Sequence, residues 1–175
     1  MNSIKIRYRN TGIGEIVLGS FRGRLCLLGF GNGDMRQVID ARIRKRLDAD
    51  FVQEDDEILE EARSQVDEYL SGTRQEFDIP LLLVGTDFQR SVWNALLGVP
   101  YGVTASYLQI ARAIGKAKAV RAVGNACRAN PIGIVVPCHR IIGSDGSLVG
   151  YYGGLSLKQR LLELEQHHTT HALSG

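Results

Sequence analysis

Apolar and polar positions alternate over short stretches in the first thirty residues, which is the pattern of strands that bury one face. Three such stretches, Ser3–Tyr8, Gly14–Ser20 and Arg24–Phe30, are rich in β-branched and apolar residues and are separated by turns that contain glycine. Consecutive short strands joined by tight turns pair in antiparallel fashion. The pattern therefore predicts a small antiparallel sheet at the start of the chain.

Two helices are predicted after this sheet. The first is charged and spans about Asp34–Leu47, with the side chain of Asp34 as its N-terminal cap. The second, about Asp55–Ser71, carries its apolar residues on one face and is predicted to stop at Gly72. Residues 73–85 are expected to form a connector that contains one short strand.

Helical spacing dominates the second half of the chain, starting with a helix that opens near residue 86. Ser106 is expected to cap a short helix, Tyr107–Ile114. Gly115 then makes a tight turn into another helix, about Ala117–Ala129. Two helices joined by a glycine turn within about 25 residues form a helix-turn-helix pattern.

The change of pattern near residue 85 predicts two domains. Residues 1–85 are expected to form a supporting α/β domain with an antiparallel sheet and helices. Residues 86–175 are expected to form a mostly helical domain that contains the helix-turn-helix, in a winged-helix-like unit. The predicted fold class is mixed α/β, of the α+β type, and 175 residues are enough to bury a sizeable core.

The charge distribution separates the same two regions. Residues 1–85 carry 12 Lys and Arg against 15 Asp and Glu, whereas residues 86–175 carry 9 against 4. No acidic residue lies between Asp87 and Asp145. A basic stretch without acids is typical of a surface that binds a polyanion, although a basic surface without a partner remains an open alternative.

Composition excludes several classes of protein. The chain is 44% apolar and 23% charged, which is ordinary for a globular protein and excludes a disordered tail, a coiled coil or a collagen-like chain. No apolar run is long enough to span a membrane, and the first residues lack the apolar core of a secretory signal. Three widely spaced cysteines do not predict a disulfide scaffold, so the cytoplasm is the expected compartment.

The second helix of the helix-turn-helix is rich in small residues. These are Ala117, Ala119, Ala122, Gly124, Ala126 and Ala129. A face without long side chains lets the backbone approach the narrow minor groove of DNA, and two arginines seven residues apart flank it. The candidate DNA contacts are Arg121, Ala122, Ala126, Arg128 and Ala129. Packing of the small face against another helix is an equally open alternative at this stage.

The candidate chemistry lies in the segment Pro137-Cys138-His139-Arg140. A thiol becomes a nucleophile as the thiolate, and neighbouring histidine and arginine side chains favour that form. On a regular strand, however, Cys138 and His139 would point to opposite faces. His139 could then act only through a bridging water or if the backbone departs from a strand. Taken alone, the pair is also compatible with an inert buried cysteine.

The wider surroundings of Cys138 are more specific. The accompanying motifs are Ser106-Tyr107, Arg121-Ala-Val-Gly, Asn130-Pro131, Gly143-Ser-Asp-Gly146, Gly150-Tyr151-Tyr152-Gly153-Gly154, Lys158 and Glu165. In this order they resemble the O6-alkylguanine-DNA alkyltransferase family, also called methylated-DNA–protein-cysteine methyltransferases. The resemblance is clear over residues 86–165 and weaker over residues 1–85.

The resemblance implies a role for each matching residue. Cys138 is the implied alkyl acceptor, His139 deprotonates it through a water, and Glu165 orients His139. Tyr107 contacts the flipped guanine and can donate a proton as it leaves. Arg121 enters the duplex in place of the flipped base. The implied reaction is a direct and irreversible displacement, in which each molecule acts once.

The substrate pocket is implied by the same resemblance. Asn130 bridges the preceding helix and the active-site strand by backbone bonds. The backbone carbonyls of Cys138 and Ile141 contact the guanine amine. Tyr151 and Tyr152 border the alkyl group, and the backbone amide of Tyr152 faces O6.

Two positions depart from the family pattern. Tyr152 stands where a small residue is common, and its ring is expected to point outward rather than into the pocket. Gly133 stands where proline is frequent, and it is expected to loosen the approach to the cysteine. Neither departure touches the nucleophile itself.

No cofactor is implied, because the alkylated base is itself the alkyl donor. Some relatives carry a structural zinc in the N-terminal half, but here that half has only Cys26 and no histidine, so no metal site is expected. The histidines at 167, 168 and 171 are expected to belong to a disordered tail. The expected partner is double-stranded DNA carrying O6-alkylguanine. The protein is expected to be a monomer without membrane contact, located in the cytoplasm, at the nucleoid of a bacterium or in the nucleus of a eukaryote.

Other functions fit the sequence less well. A methyltransferase that uses S-adenosylmethionine needs a glycine-rich loop after a strand and a downstream acid, and neither is present at usable spacing. A non-catalytic lesion-binding protein of the same fold remains an alternative, although such relatives replace the acceptor cysteine. A helix-turn-helix regulator is a second alternative, but it would not explain the combination of Cys138, His139 and Glu165.

Overall fold

The computed structural model describes residues 2–31 and 33–174, with side chains described up to residue 169. Its backbone divides into two compact units. The first runs up to Thr86 and also includes Pro131–Val135, and the second comprises Asp87–Asn130 and the chain from Val136 onward. The sequence predicts a single division after residue 85. The structure adds a return of five residues, just before the candidate nucleophile, to the first unit.

The first unit is built on a four-stranded sheet. Its strands are β1 (Asn2–Thr11), β2 (Gly14–Phe21), β3 (Arg24–Phe30) and β4 (Ala49–Val52), in the spatial order β3-β2-β1-β4. β2 pairs with β1 and with β3 in antiparallel fashion, as predicted, whereas β4 lies parallel to β1. The sequence does not predict β4, because four residues are too few to show a period of two.

Two helices belong to the same unit, α1 (Asp34–Leu47) and α2 (Glu57–Ser71). The predicted cap at Asp34 is wrong: Asp34 is the first helical residue, and the preceding Gly33 starts α1 without a side-chain hydrogen bond. At α2, the side chain of Asp56 accepts a hydrogen bond from the Leu59 N–H. Gly72 ends α2 with φ 86, in the left-handed conformation, and confirms the predicted stop.

The connector after α2 contains a single bridge where a short strand is predicted. Leu81 forms an isolated parallel bridge with Leu25. The Leu25 N–H donates to the Pro80 carbonyl at 2.8 Å, and the Leu82 N–H donates to the Leu25 carbonyl at 2.9 Å. The neighbouring proline has no N–H for a longer ladder, which limits the pairing to one residue.

The second unit is mostly helical. Its elements are α3 (Asp87–Leu97), α4 (Tyr107–Ala113), α5 (Val120–Arg128) and α6 (Leu155–Ser174), with β5 (Ala105–Ser106) parallel to β6 (Ile141–Ile142). Ser106 and Gln109 form a capping box at the start of α4. Gly115 follows with φ 73. The predicted cap of α4 and the turn after it are therefore confirmed.

The last two helices differ from the prediction at their ends. α5 begins at Val120, because Ala117 and Ala119 lie in a preceding turn in which the Ala119 N–H donates to the Lys116 carbonyl at 2.8 Å. α6 continues through His167 and His168, so the predicted disordered tail is wrong for these residues. The side chain of His171 lies outside the described side chains.

Packing between helices centres on Trp93. This side chain of α3 is fully buried, and its Nε1–H donates to the carbonyl of Ala126 in α5 at 2.9 Å. Truncating a buried tryptophan typically costs about 3–5 kcal/mol, so this contact is a main support of the helix-turn-helix. A sheet unit followed by a helical unit confirms the predicted α+β class. None of the described helices has the length and apolar character needed to cross a membrane.

Candidate active site

Cys138 lies at the start of a single 3₁₀ turn, Cys138–Arg140, and is 3% exposed. The preceding Pro137 has φ −84 and ψ 61, and the Cys138 N–H donates to the Val136 carbonyl at 2.8 Å. The backbone therefore departs from a strand at the nucleophile, which is one of the two conditions stated for His139 to act. The strand β6 begins only at Ile141.

Asn130 connects the end of α5 to the cysteine through its side chain. Its Nδ2 donates to the Val136 carbonyl at 2.8 Å and to the Cys138 sulfur at 3.2 Å. The bridge is therefore made by the amide side chain, whereas backbone bonds are predicted. Burial raises the pKa of the Cys138 thiol to about 11, although the hydrogen bond from Asn130 and the charge of Lys158 act to lower it. The resting thiol is protonated at neutral pH.

His139 and Glu165 form a buried pair. The His139 Nε2 lies 2.6 Å from Glu165 Oε2, and the two side chains are 0% and 1% exposed. Burial lowers the pKa of His139, so the imidazole is neutral at rest. A neutral ring that donates from Nε2 to a carboxylate keeps a basic lone pair on Nδ1.

Arg140 holds the same carboxylate from the other side. Its Nε and Nη2 donate to the two Glu165 oxygens at 2.8 and 3.1 Å, and its Nη1 donates to the Val99 carbonyl at 2.7 Å. The Gly102 N–H adds a bond to Glu165 at 3.1 Å. Burial acts to raise the pKa of Glu165, but its bonds and charge interactions with His139 and Arg140 outweigh this and lower it to about 2. Glu165 is thus a carboxylate fixed in orientation and charge.

Lys158 and Tyr107 converge on the loop before Gly150. The buried Lys158 Nζ donates to the carbonyls of Ile141 at 2.5 Å, Val149 at 2.9 Å and Gly150 at 3.4 Å. The Tyr107 hydroxyl donates to the same Val149 carbonyl at 2.8 Å. Burial raises the pKa of Tyr107 to about 12, so its hydroxyl keeps its proton. The ammonium lies 5.8 Å from the Tyr107 ring centroid.

The two adjacent tyrosines differ in exposure. Tyr151 is 9% exposed, whereas Tyr152 is half-buried. Their ring centroids are 6.3 Å apart, and the rings are tilted by 32°. The expected outward direction of the Tyr152 ring stays a prediction.

Gly133 is packed tightly rather than loosely. A Cβ at this position would lie 2.6 and 2.8 Å from Cε2 and Cζ of Phe30, closer than real Cβ contacts allow. The expected loosening is therefore wrong, because an aromatic ring occupies the space that a larger residue would fill.

Comparison with known proteins agrees with this geometry. The family model described as "6-O-methylguanine DNA methyltransferase, DNA binding domain" matches residues 87–167, and its "ribonuclease-like domain" matches residues 4–83. A methylated-DNA–protein-cysteine methyltransferase of Methanosarcina barkeri is 50% identical, over 89% of this chain and 93% of the relative. The chain belongs to the 6-O-methylguanine DNA methyltransferase family. The resemblance stated from the motifs is thereby confirmed.

Further members of this methyltransferase family support the assignment. An inducible methylated-DNA–protein-cysteine methyltransferase of Bacillus subtilis is 51% identical, over 70% of this chain and 69% of the relative. Among solved structures, Mycobacterium tuberculosis OGT in complex with DNA superposes with a TM-score of 0.80 at 40% identity, covering 94% of each chain. Both units of the chain thus have their counterpart in one solved member of the methyltransferase family.

The predicted DNA contacts of this methyltransferase-family chain do not all lie on one exposed face of α5. Arg121, Ala122 and Arg128 are exposed, and Ala129 is half-buried. Ala126 is 3% exposed, so its expected place on the exposed face is wrong. The α3–α5 packing that holds its carbonyl against Trp93 explains the burial.

The sequence analysis does not predict the contacts of two site residues, Arg140 and Lys158, and it does not single out Asn125 on α5. Arg140 forms an ion pair with Glu165, and Lys158 donates hydrogen bonds to three carbonyls. Asn125 is exposed on α5, midway between Ala122 and Arg128. The position of Asn125 on the same face as Ala122 and Arg128 could have been predicted, since residues three apart in a helix share a face. Glu165 lies 25 residues from Arg140, and the carbonyls bonded to Lys158 lie 8 to 17 residues before it, so neither set of contacts gives a local signal. Within the described part of the chain, no group of three or more potential metal ligands occurs.

Proposed function

We propose that this protein is a methylated-DNA–protein-cysteine methyltransferase, which moves an alkyl group from O6 of guanine in double-stranded DNA to the sulfur of Cys138. The observation that carries the proposal is the buried Cys138–His139–Glu165 arrangement, in a chain that belongs to this family. Each molecule acts once, because the thioether is stable and no group in the site regenerates the thiol. The alternatives, a lesion-binding protein or a regulator, leave this buried arrangement without a purpose.

The first chemical step is removal of the thiol proton. With a thiol pKa of about 11, Cys138 needs a base at neutral pH. The Nδ1 lone pair of His139 takes the proton through a water, and Glu165 stabilises the imidazolium that forms. Glu165 is a positioning residue, because it acts through His139. The Asn130 amide donates to the sulfur and favours its negative charge.

The second step is displacement at the alkyl carbon. A carbon–sulfur bond forms while the bond between that carbon and O6 breaks, and guanine leaves. Tyr107 donates a proton to the leaving base, because its pKa of about 12 keeps the hydroxyl protonated at neutral pH. The proton that His139 removed from the thiol then returns to the Tyr107 oxygen, so that both guanine and Tyr107 end neutral. No cofactor enters this sequence, since the base supplies the alkyl group.

Backbone groups bind the flipped guanine. We assign its exocyclic amine to the carbonyls of Cys138 and Ile141, and O6 to the amide of Tyr152, with Tyr151 as a wall of the pocket. The Ile141 carbonyl also accepts from Lys158, which supports this assignment because the ammonium fixes where the carbonyl points.

We assign DNA binding to the exposed side of α5. Arg121 fills the place that the flipped base leaves, and Arg128 contacts the phosphates. Ala122 and Ala129 let the helix approach the minor groove, without Ala126. The solved relative in complex with DNA supports this role for the unit. We place the protein as a monomer in the cytoplasm, at the nucleoid if the organism is a bacterium and in the nucleus if it is a eukaryote.

The test is transfer of mass from DNA to protein. Incubation with a duplex that contains O6-methylguanine is expected to add about 14 Da to the peptide that holds Cys138, since a methyl group replaces a hydrogen. Cys138→Ser should bind the same duplex and gain no mass. Transfer to Cys26 or Cys127, or binding without any transfer, would overturn the proposal, and the second result would favour a lesion-binding protein.

A further inference from the structure

The segment Pro131–Val135 is attached to the edge of the sheet in the first unit. The Leu28 N–H donates to the Pro131 carbonyl at 2.9 Å, and the Gly133 N–H donates to the Leu28 carbonyl at 3.0 Å. Leu28 and Ile132 form the parallel bridge between these bonds. β3 thus holds, by its backbone, the residues that lead to the nucleophile.

The ring of Phe30 adds a side-chain contact to this attachment. It occupies the place of a Cβ on residue 133, and such a Cβ would lie 2.6 Å from the ring carbon Cε2 and 3.4 Å from the Leu28 carbonyl oxygen. Glycine is the residue that leaves this space while keeping the N–H that bonds Leu28. A proline would lack that N–H and would bring a Cβ against the ring.

The next residue has an unusual backbone. Ile134 has φ 68, and the Val135 N–H donates to the Gly133 carbonyl at 2.7 Å across it, which is a γ-turn with positive φ. A β-branched residue is strained in this conformation, and such a turn persists only where its surroundings hold it. Ile134 is 1% exposed, so its side chain is fixed in the core.

A second γ-turn of the opposite kind follows directly. Pro137 has φ −84 and ψ 61, with the Cys138 N–H bonded to the Val136 carbonyl, which is the inverse γ-turn. The side chain of Asn130, the residue just before this segment, donates hydrogen bonds to both the Val136 carbonyl and the Cys138 sulfur, which lie just after it. The direction in which Cys138 leaves this path therefore depends on the turn at Ile134.

We propose that Phe30 is a positioning residue for Cys138: its ring, seated against Gly133, holds the strained γ-turn that sets the backbone of the nucleophile. This inference rests on the proposed function, because it assigns to the sheet unit a part in alkyl transfer beyond support. Phe30 and Gly133 act together: the ring fits only because residue 133 has no Cβ, and the turn keeps its conformation only while the ring packs against it.

The test compares four variants with two matched controls. Phe30→Ala removes the ring, Phe30→Leu keeps part of its volume, Gly133→Ala adds the Cβ, and Phe30→Ala/Gly133→Ala gives that Cβ the vacated space. Phe21→Ala truncates another buried phenylalanine of the same sheet, and Gly33→Ala adds a Cβ that meets nothing within 4 Å. Denaturant unfolding identifies conditions under which every variant is folded.

Two readouts are taken under those conditions. One is the single-turnover rate of transfer from O6-methylguanine duplex, and the other is the pH profile of Cys138 alkylation by iodoacetamide, followed peptide by peptide. Phe30→Ala is expected to slow transfer about tenfold and Gly133→Ala about a hundredfold, because the added Cβ meets both the ring and the Leu28 carbonyl. Both variants should change the pH profile of Cys138, with Phe30→Leu between Phe30→Ala and the wild type. The double variant should transfer about tenfold faster than Gly133→Ala but no faster than Phe30→Ala, because the clash is relieved while the ring is still missing.

The controls decide between positioning and mere stability. Phe21→Ala should lose stability yet keep the wild-type transfer rate and pH profile, and Gly33→Ala should match the wild type. If Phe30→Ala behaves like Phe21→Ala, or if the double variant is no faster than Gly133→Ala, the inference is overturned. A wild type that transfers nothing from DNA, while Phe30→Ala still changes the iodoacetamide profile, would overturn the proposed function and leave the positioning role standing.

Discussion

Groups of opposite influence surround the sulfur of Cys138. Burial raises the pKa of its thiol, while the Asn130 amide and the Lys158 ammonium act to lower it, and the result is about 11. His139 adds no positive charge at rest, because burial lowers its own pKa. The positive charge of Arg140 is paired with the carboxylate of Glu165. In the proposed mechanism the reactive thiolate therefore arises when His139 takes the proton, and an adjacent histidine and arginine do not by themselves make a reactive cysteine.

Tyr152 allows a prediction about substrate size. Its side chain is half-buried and stands where a small residue is common, so its ring either narrows the pocket or points away from it. We expect the outward position, and therefore Tyr152→Ser should change transfer from O6-methylguanine and from O6-benzylguanine by less than about threefold, because a site that is not narrowed gains no room. Single-turnover rates with both substrates measure this. A large gain for the benzyl substrate alone would show that Tyr152 limits the size of the alkyl group.

At the scale of elements, local chemistry decides what sequence can predict. Ser106 and Gln109 cap α4, and Gly72 and Gly115 end or turn their segments, because each uses a bond or a backbone angle within a few residues. β5 and β6 are each two residues long, and their paired residues lie 36 positions apart in the sequence. Strands this short show no periodic signal from which the pairing could be predicted. The start of α5 at Val120 could not be predicted either, because the alanines before it are compatible with both a turn and a helix.

The exposed face of α5 leads to a prediction about base flipping. If Arg121 supplies about 1.4 kcal/mol of the few kcal/mol that flipping costs, Arg121→Ala should slow repair of duplex O6-methylguanine about tenfold. Reaction with the free base O6-benzylguanine should stay within about twofold, because a free base needs no flipping. Parallel rate measurements on both substrates test this.

Arg160→Ala serves as the matched control for charge. Arg160 is exposed on α6 of the same unit, so its loss removes one positive charge from a helix other than α5. It should change duplex repair only slightly and uniformly. Equal losses for duplex and free base in Arg121→Ala would show that Arg121 supports the site in another way.

At the scale of the whole molecule, the chain does not follow a linear division. It enters the second unit at Asp87, returns to the first for Pro131–Val135, and resumes the second at Val136. Composition and periodicity could locate the first crossing, because both change near residue 85. They could not locate the return, since it depends on Leu28 and Phe30, about a hundred residues earlier. The motif predicts the reacting residues from the sequence alone, whereas the proposed positioning by Phe30 and Gly133 follows only from the tertiary structure.

The buried pair of His139 and Glu165 predicts that acid destabilises the whole fold. Glu165 has a pKa of about 2 in place of 4.5, so its contribution is present above pH 4.5 and is lost as the pH falls toward 2. His139 has a pKa below 6.5, so unfolded chains bind a proton that the folded protein does not, and stability also falls below pH 6.5. Both slopes have the same sign, and stability should rise from acid to neutral pH.

Denaturant unfolding at several pH values between 7 and 3 measures this dependence. The wild type should lose about 2 kcal/mol through Glu165 between neutral pH and pH 3, with the larger part lost below pH 4.5. Glu165→Gln should begin less stable, because Arg140 then keeps a buried charge, but it should lose much less below pH 4.5. Glu163→Gln, an exposed change on the same helix, should keep the wild-type slope. If Glu165→Gln loses as much stability in acid as the wild type does, the ionised carboxylate of Glu165 is not the source of the acid sensitivity.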